Sequence, residues 1–194
     1  MGRPRMFDAD VVVERAMQAF WTLGYANASP AALAEATGVA KGSLYNTFGS
    51  KRDLFERALE RYDRLGAEVT AELLARPGTT VECLRAFLYD SVDADLARTV
   101  RRGCLAVNTA VELAGHDPEI AAAVRRAVER TMDALEARIA RGVRDGDVRP
   151  GLDPRQTAEY VMNTLAGLRV MTRAYDAPTL HRIVDTALLV LDTP

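Results

Sequence analysis

Gly24-Tyr25-Ala26-Asn27-Ala28-Ser29-Pro30 and, further on, Gly38-Val39-Ala40-Lys41-Gly42-Ser43-Leu44-Tyr45-Asn46-Thr47-Phe48-Gly49-Ser50-Lys51 bracket the part of the chain that decides its fold. Ser29 offers a hydroxyl to cap a helix start, and Pro30 takes the first helical position, where a missing N–H costs nothing. That helix runs about two turns, to Ala36. Thr37-Gly38 breaks it, because glycine accepts the left-handed backbone that a helix end needs. A second helix begins near Ala40–Lys41 and continues to Asn46. Two short helices joined by a tight turn make a helix-turn-helix, an arrangement that presents one helix end to DNA.

The second of these helices is notable for what it leaves outside. Leu44 and Phe48 stand four apart and face a core, whereas Lys41, Gly42, Ser43, Asn46 and Thr47 are small or polar. Free N–H groups and partial positive charge at a helix N-terminus suit phosphate. Gly42 permits close approach of a sugar-phosphate backbone, and Lys41 and Lys51 bracket the segment with charge. Ser43, Asn46 and Thr47 can donate to or accept from base edges in a major groove, whose pattern distinguishes all four base pairs. Singly, each residue fits a solvated helix face; together they specify a DNA-reading element.

The pattern Gly24-Tyr25, Ser29, Ala34, Gly38-Val39, Lys41-Gly42-Ser43-Leu44-Tyr45, Phe48, Ser50-Lys51 and Leu54-Phe55 is similar to the DNA-binding domain of the TetR family of bacterial transcriptional regulators. The resemblance implies an all-α homodimer with a helix-turn-helix DNA-binding domain over residues 1–50 and a helical ligand-binding and dimerisation domain over residues 51–194. Carried over by position, Tyr45 and Lys51 contact phosphates, and Lys41 and Gly42 lie at the backbone and base edges. Asn46 and Thr47 lie in the groove, with Ser29 and Ser43 completing the contact set. Two departures stand out: Ala40 occupies a position where a Ser or Thr cap is usual, and Asn46-Thr47 replaces a commoner aromatic or His pair. The operator sequence therefore does not transfer from relatives. By the same analogy a small-molecule effector lies among the middle helices, with Phe87, Ser91, Cys104, Asn108, Glu112, Met132, Met162 and Tyr175 as candidates: mostly apolar with a few polar groups, as small-molecule sites are.

Composition agrees. Ala, Leu, Arg and Glu dominate, no alternating run suggests a strand, and 48% apolar content suffices for a core. No stretch reaches the ~18 consecutive apolar residues of a membrane span, so a cytoplasmic protein is expected. The net charge of −2 argues against nucleic acid until it is divided. Residues 1–52 hold six Lys or Arg against four Asp or Glu, and both lysines of the chain, Lys41 and Lys51, fall there. Local placement outweighs the total. Arg3 and Arg5 form a short basic arm that can reach a minor groove or phosphates, or equally serve as a solubilising terminus.

Helix punctuation organises the rest. Asp8 caps a first helix with the stripe Val12, Ala16, Ala19-Phe20 and Leu23; Ser50 opens a long helix carrying Leu54-Phe55, Ala58-Leu59, Tyr62, Leu65, Val69 and Leu73. Thr79 with Glu82 makes a capping box. A shorter helix spans Cys104 to Leu113. Asp117-Pro118 starts a long one with Ile120, Val124, Val128, Leu135, Ile139 and Val143. Asp153-Pro154 opens another, to about Tyr175, and Asp176-Ala177-Pro178 precedes the last, for about nine in all. The last two are apolar on more than one face, which suits a two-fold dimer interface through Ala158, Ala166, Val170, Ile183 and Leu188.

Catalytic constellations are thin. His116 and His181 are the only histidines and lack metal-ligand spacing, so neither metal nor cofactor is expected, and a helical enzyme is the minor alternative. A dimeric helical interaction module is another. Asp93 and Asp95 read as solvated helix-face charges. Two cysteines, Cys83 and Cys104, are too few for a disulfide framework. Cys104 follows Arg101-Arg102-Gly103 at a helix start, where cationic neighbours favour the thiolate, and so offers a redox- or electrophile-sensing alternative to a reversibly bound ligand.

Overall fold

Helices start in this chain where a side chain can take up the free amides of the first turn. In the computed structural model, which describes residues 7–192, α1 (Ala9–Leu23) begins behind Asp8, whose carboxylate accepts from the amides of Asp10 and Val11. α2 (Pro30–Thr37) follows Ser29, whose Oγ accepts from the Ala32 amide at 3.1 Å. Reciprocal capping boxes, Ser50 with Asp53 and Thr79 with Glu82, open α4 (Lys51–Ala75) and α5 (Thr80–Leu96). Asp117, Asp153 and Asp176 do the same for α7 (Pro118–Asp145), α8 (Pro154–Met171) and α9 (Ala177–Leu188). The two helices without a side-chain cap are α3 (Lys41–Phe48), behind Ala40, and α6 (Leu105–Thr109), behind Cys104. Among the described residues there are these nine α-helices, a π-helical turn at Ala110–Ala114 that continues α6, a final 3₁₀ turn at Leu189–Leu191, and no strand.

Several expectations shift. α8 stops at Met171 instead of Tyr175: beyond it the amides of Arg173 and Ala174 bond three residues back, to Val170 and Met171, and the last turn tightens. α3 extends past Asn46 to Phe48 and ends at Gly49. The segment expected as one helix from Cys104 to Leu113 starts at Leu105 and widens into the π-helical turn. Leu23, Leu65, Val69 and Val143, placed on core stripes by periodicity, are exposed.

Two buried clusters hold the chain together. The first packs Phe20, Leu33, Leu44, Phe48, Leu54, Phe55 and Leu59 and continues into Leu105, Ile120 and Val124 of α6 and α7. The second joins Leu73, Leu84, Leu88, Leu135, Ile139, Leu168, Leu180 and Leu188 across the end of α4 and α5, α7, α8 and α9. α4 contributes to both clusters. The helix-turn-helix core thus draws on residues well beyond position 50. No described helix is long and apolar enough to cross a membrane.

Candidate nucleic-acid interface and cavity

α2 and α3 meet across Gly38, which has φ 71° and donates its amide to the carbonyls of Ala34 and Glu35. This left-handed residue turns the chain, and Leu33, Leu44 and Phe48 pin the two helices to α1 and α4. What remains outside α3 is the polar face: Lys41, Gly42, Ser43, Asn46 and Thr47 are all exposed. A Cβ added at Gly42 would meet nothing within 4 Å, so the protein's own packing does not require glycine there. No side chain takes up the first amides of α3, since Ala40 cannot. Thr47 Oγ1 donates to the Ser43 carbonyl at 3.0 Å and keeps only acceptor capacity for a base edge.

The remaining predicted contacts are placed less simply. Ser29 is exposed, but its Oγ is engaged as the α2 cap. Lys51 lies with Nζ 4.5 Å above the Tyr25 ring, beside the start of α4. The Tyr45 hydroxyl is buried and has no hydrogen-bond partner among the described residues, so a phosphate contact requires the ring to turn. Burial and the neighbouring Tyr25 push its phenol above the usual range. Arg3 and Arg5 lie outside the described residues.

The reading head is gripped from the second half. Glu112, in the π-helical turn, accepts the amides of Tyr25 and Ala26 at 2.9 and 2.7 Å and so holds the loop between α1 and α2. Arg52 makes a bidentate pair with Asp117, at 2.6 and 2.9 Å, and also reaches Glu119 and Glu56. Its guanidinium holds the Asp117 carboxyl below the usual carboxylate range. Trp21 Nε1 donates to the Gly103 carbonyl at 2.8 Å. Periodicity cannot find such pairs, whose members lie far apart in sequence.

Between α1, α4, α5, α6, α7 and α8 lies a cavity of about 440 Å³. Met17, Leu65, Val69, Leu73, Phe87, Val128, Met162 and Leu165 give it apolar walls; its polar lining includes Tyr62, Ser91, Arg98, Cys104 and Arg169 together with the acids Glu14, Asp63 and Asp90. Four predicted ligand residues, Phe87, Ser91, Cys104 and Met162, line it together. Asn108, Glu112, Met132 and Tyr175 do not: Asn108 bridges the Arg102 carbonyl and Arg173, Glu112 grips the α1–α2 loop, and Tyr175 is exposed. Burial and the adjacent Cys104 push the Tyr62 phenol well above its usual range. Asp95, expected as a solvated charge, is fully buried and accepts from Arg169 Nη1 at 2.7 Å. Asp93 is exposed and pairs with His181. A wider groove of about 700 Å³ between α4 and α7 is lined mostly by charged side chains. No group of three or more His, Cys, Asp or Glu among the described residues could hold a metal ion.

Of the residues expected at a dimer interface, Ala158 and Leu188 are buried in the protomer's own core, because they face α5 and α7 and the apolar side of α9. Ala166 lines the cavity and Ile183 is half-buried, whereas Val170 is 52% exposed. Tyr160, near the start of α8, is 46% exposed, and Leu189, on the final turn, 64%.

A family of bacterial regulatory proteins, the tetR family, matches residues 12–58, spanning α2, α3 and the start of α4. A tetracyclin repressor-like C-terminal domain matches residues 80–188. The chain belongs to the TetR family. It is 31% identical to the uncharacterized HTH-type transcriptional regulator YezE of Bacillus subtilis (strain 168), over 99% of this chain and 100% of that protein. It is 27% identical to the HTH-type transcriptional repressor ComR of Escherichia coli (strain K12), over 96% of this chain and 88% of ComR. Among solved structures, it superposes with a TM-score of 0.87 on a cysteine mutant of the TetR family transcriptional regulator CifR complexed with 26-base-pair double-strand operator DNA. The identity there is 31%, covering 98% of this chain and 100% of that one. As a TetR regulator this chain is a DNA-binding protein of transcription control.

Proposed function

We propose that this protein is a homodimeric repressor that binds a palindromic operator through α3 and is released by a small molecule held in the cavity beneath Trp21. The observation that carries the reading is the bare face of α3: uncapped amides, Lys41, a glycine with no internal packing reason, and Asn46 free to reach a base edge. It acts by binding rather than by catalysis. Exposed Gly167 and Val170, one turn apart on α8, supply an outward face, and pairing it across a two-fold axis sets two reading helices on successive major grooves. Glu112 and Arg52 join the cavity half to the reading head, and through them a ligand alters the spacing of the heads.

Selection from random duplex DNA tests the reading and returns an inverted repeat. Against that sequence Lys51→Ala weakens binding to all duplexes about equally. Asn46→Ala relaxes preference at one position in each half-site, costing about 1–3 kcal/mol per lost contact. Selection that enriches no motif sinks the proposal. A second reading is favoured by the placement of Cys104: its thiol lies in the cavity beside Tyr62, so the effector can be an electrophile that attaches there, and the CifR structure similar to this chain is itself a cysteine mutant.

A further inference from the structure

The charges around the cavity do not balance. Arg98, Arg101, Arg102, Arg169 and Arg173 gather where the connection from α5 to α6 meets the end of α8. Among the described residues, Asp95 is the one carboxylate paired with any of them, bonded to Arg169 at 2.7 Å and lying 4.0 Å from Arg98. Arg101 and Arg173 are held by backbone carbonyls, and Arg102 by carbonyl and hydroxyl oxygens of Gln18 and Thr22. Arg98 and Arg102 flank the Trp21 ring, 4.6 and 4.1 Å from its centroid. The acidic side chains that line the cavity are already matched to other guanidinium groups: Glu14 to Arg61, Asp63 to Arg130 and Asp90 to Arg76.

Two members of the surplus, Arg98 and Arg169, line the cavity itself. Arg169 has one of its five N–H groups on Asp95 and no other protein acceptor among the described residues. The apolar side chains Val69, Leu73, Phe87 and Met162 line the same chamber. Two guanidinium groups that share one carboxylate favour a further anion, and the planar fork of arginine matches a carboxylate.

We propose that the cavity selects an amphipathic organic acid: an aromatic or medium-chain monocarboxylate whose charged end lies between Arg98 and Arg169 and whose apolar body runs along Val69, Leu73 and Phe87. The inference rests on the effector reading above and narrows it to one chemical class.

Trp21 is the only tryptophan in the chain and lines the cavity, so its emission reports occupancy. The full-length protein is titrated with octanoate and with 4-phenylbutyrate, each against its own primary amide, which matches it in shape and lacks the charge. The acids bind roughly tenfold or more tightly than their amides, the range a charge-assisted hydrogen bond spans. Arg98→Gln brings acid and amide to within about threefold of each other. Because Arg169→Gln alone strands a buried carboxylate, it is tested as the Arg169→Gln, Asp95→Asn pair, with thermal melting checked first. Equal binding of acid and amide overturns the inference and leaves the cavity as a neutral-ligand site. Preference for the acid that survives in both variants also overturns it. If neither acid nor amide perturbs Trp21, the inference and the effector reading fall together. Acids that bind with the expected preference yet leave operator affinity unchanged uphold the inference and sink the effector reading alone.

Discussion

α3 and α6 both begin without a side-chain cap, and they face opposite worlds. Behind Ala40, α3 opens its first amides to solvent, while Leu44 and Phe48 anchor it in the cluster shared with α1 and α4. Behind Cys104, α6 opens into a chamber whose walls come from α1, α4, α5, α7 and α8. The reading helix turns a polar face outward over a shared core; the cavity helix turns inward on a chamber built by five others. Between them runs the π-helical turn, whose Glu112 reaches from the cavity side to the amides in front of α2. Such turns, with one residue more per hydrogen-bonded ring, concentrate at functional sites.

The contrast predicts that the two regions fail in different ways. The largest effect comes from the outer face of α8, where Gly167→Arg combined with Val170→Asp separates the protomers. Each half then binds DNA alone, and operator affinity falls about 100- to 10,000-fold as the second engagement is lost. Sedimentation and fluorescence anisotropy follow the two losses together. A dimer that persists with unchanged affinity moves the interface elsewhere. Leu188→Asp is not an equivalent test, because Leu188 is 1% exposed inside the protomer and its replacement unfolds the chain.

A smaller effect tests the link between the regions. Glu112→Gln keeps the shape but removes the charge that two amides of the α1–α2 loop bond to, and about 1–2 kcal/mol of stability goes with it. Urea unfolding measures that loss, while an operator titration with and without effector reads the coupling. The expected outcome is a head that still binds DNA but responds less to the cavity. Undiminished response places the coupling in α4 alone.

The smallest effect concerns pH. Arg52 depresses the folded-state pKa of Asp117, so this pair contributes stability above the ordinary carboxylate range and loses it as pH falls through the depressed value. Asp117→Asn retains the helix cap and abolishes the titration. Its melting temperature lies below wild type at pH 6, and the gap closes below about pH 4. A gap that does not change with pH means that the pair does no work in the folded protein.

How far the fold could be read in advance follows from the same contrast. Caps at Asp8, Ser29, Ser50, Thr79, Asp117, Asp153 and Asp176 act over three residues or fewer, so helix starts were legible and are observed. The polar face of α3 was legible because Leu44 and Phe48 alone fix which side is inward. The cavity was only half legible. Phe87 and Met162 look like any core residue, and Arg98, Arg169 and Tyr62 carry no local signal that they will converge. Asp95 was misread because a helix-face acid and a buried ion pair look identical until Arg169 arrives from another helix. Glu112 was placed in the wrong role for the same reason, its partners being two backbone amides in a distant loop.

Both lysines of the chain belong to the reading head, and this makes amine chemistry a selective probe of it. An acylating reagent finds Lys41 exposed and Lys51 half-covered by the Tyr25 ring, while twenty-three arginines elsewhere stay untouched at neutral pH. Labelling strips positive charge from the DNA-facing surface and leaves the cavity, its arginines and the protomer contact unaltered. Bound operator shields the same two amines. A single mass-spectrometric footprint of Lys41 and Lys51 therefore separates a protein that has lost its grip on DNA from one that has lost its ligand or its partner.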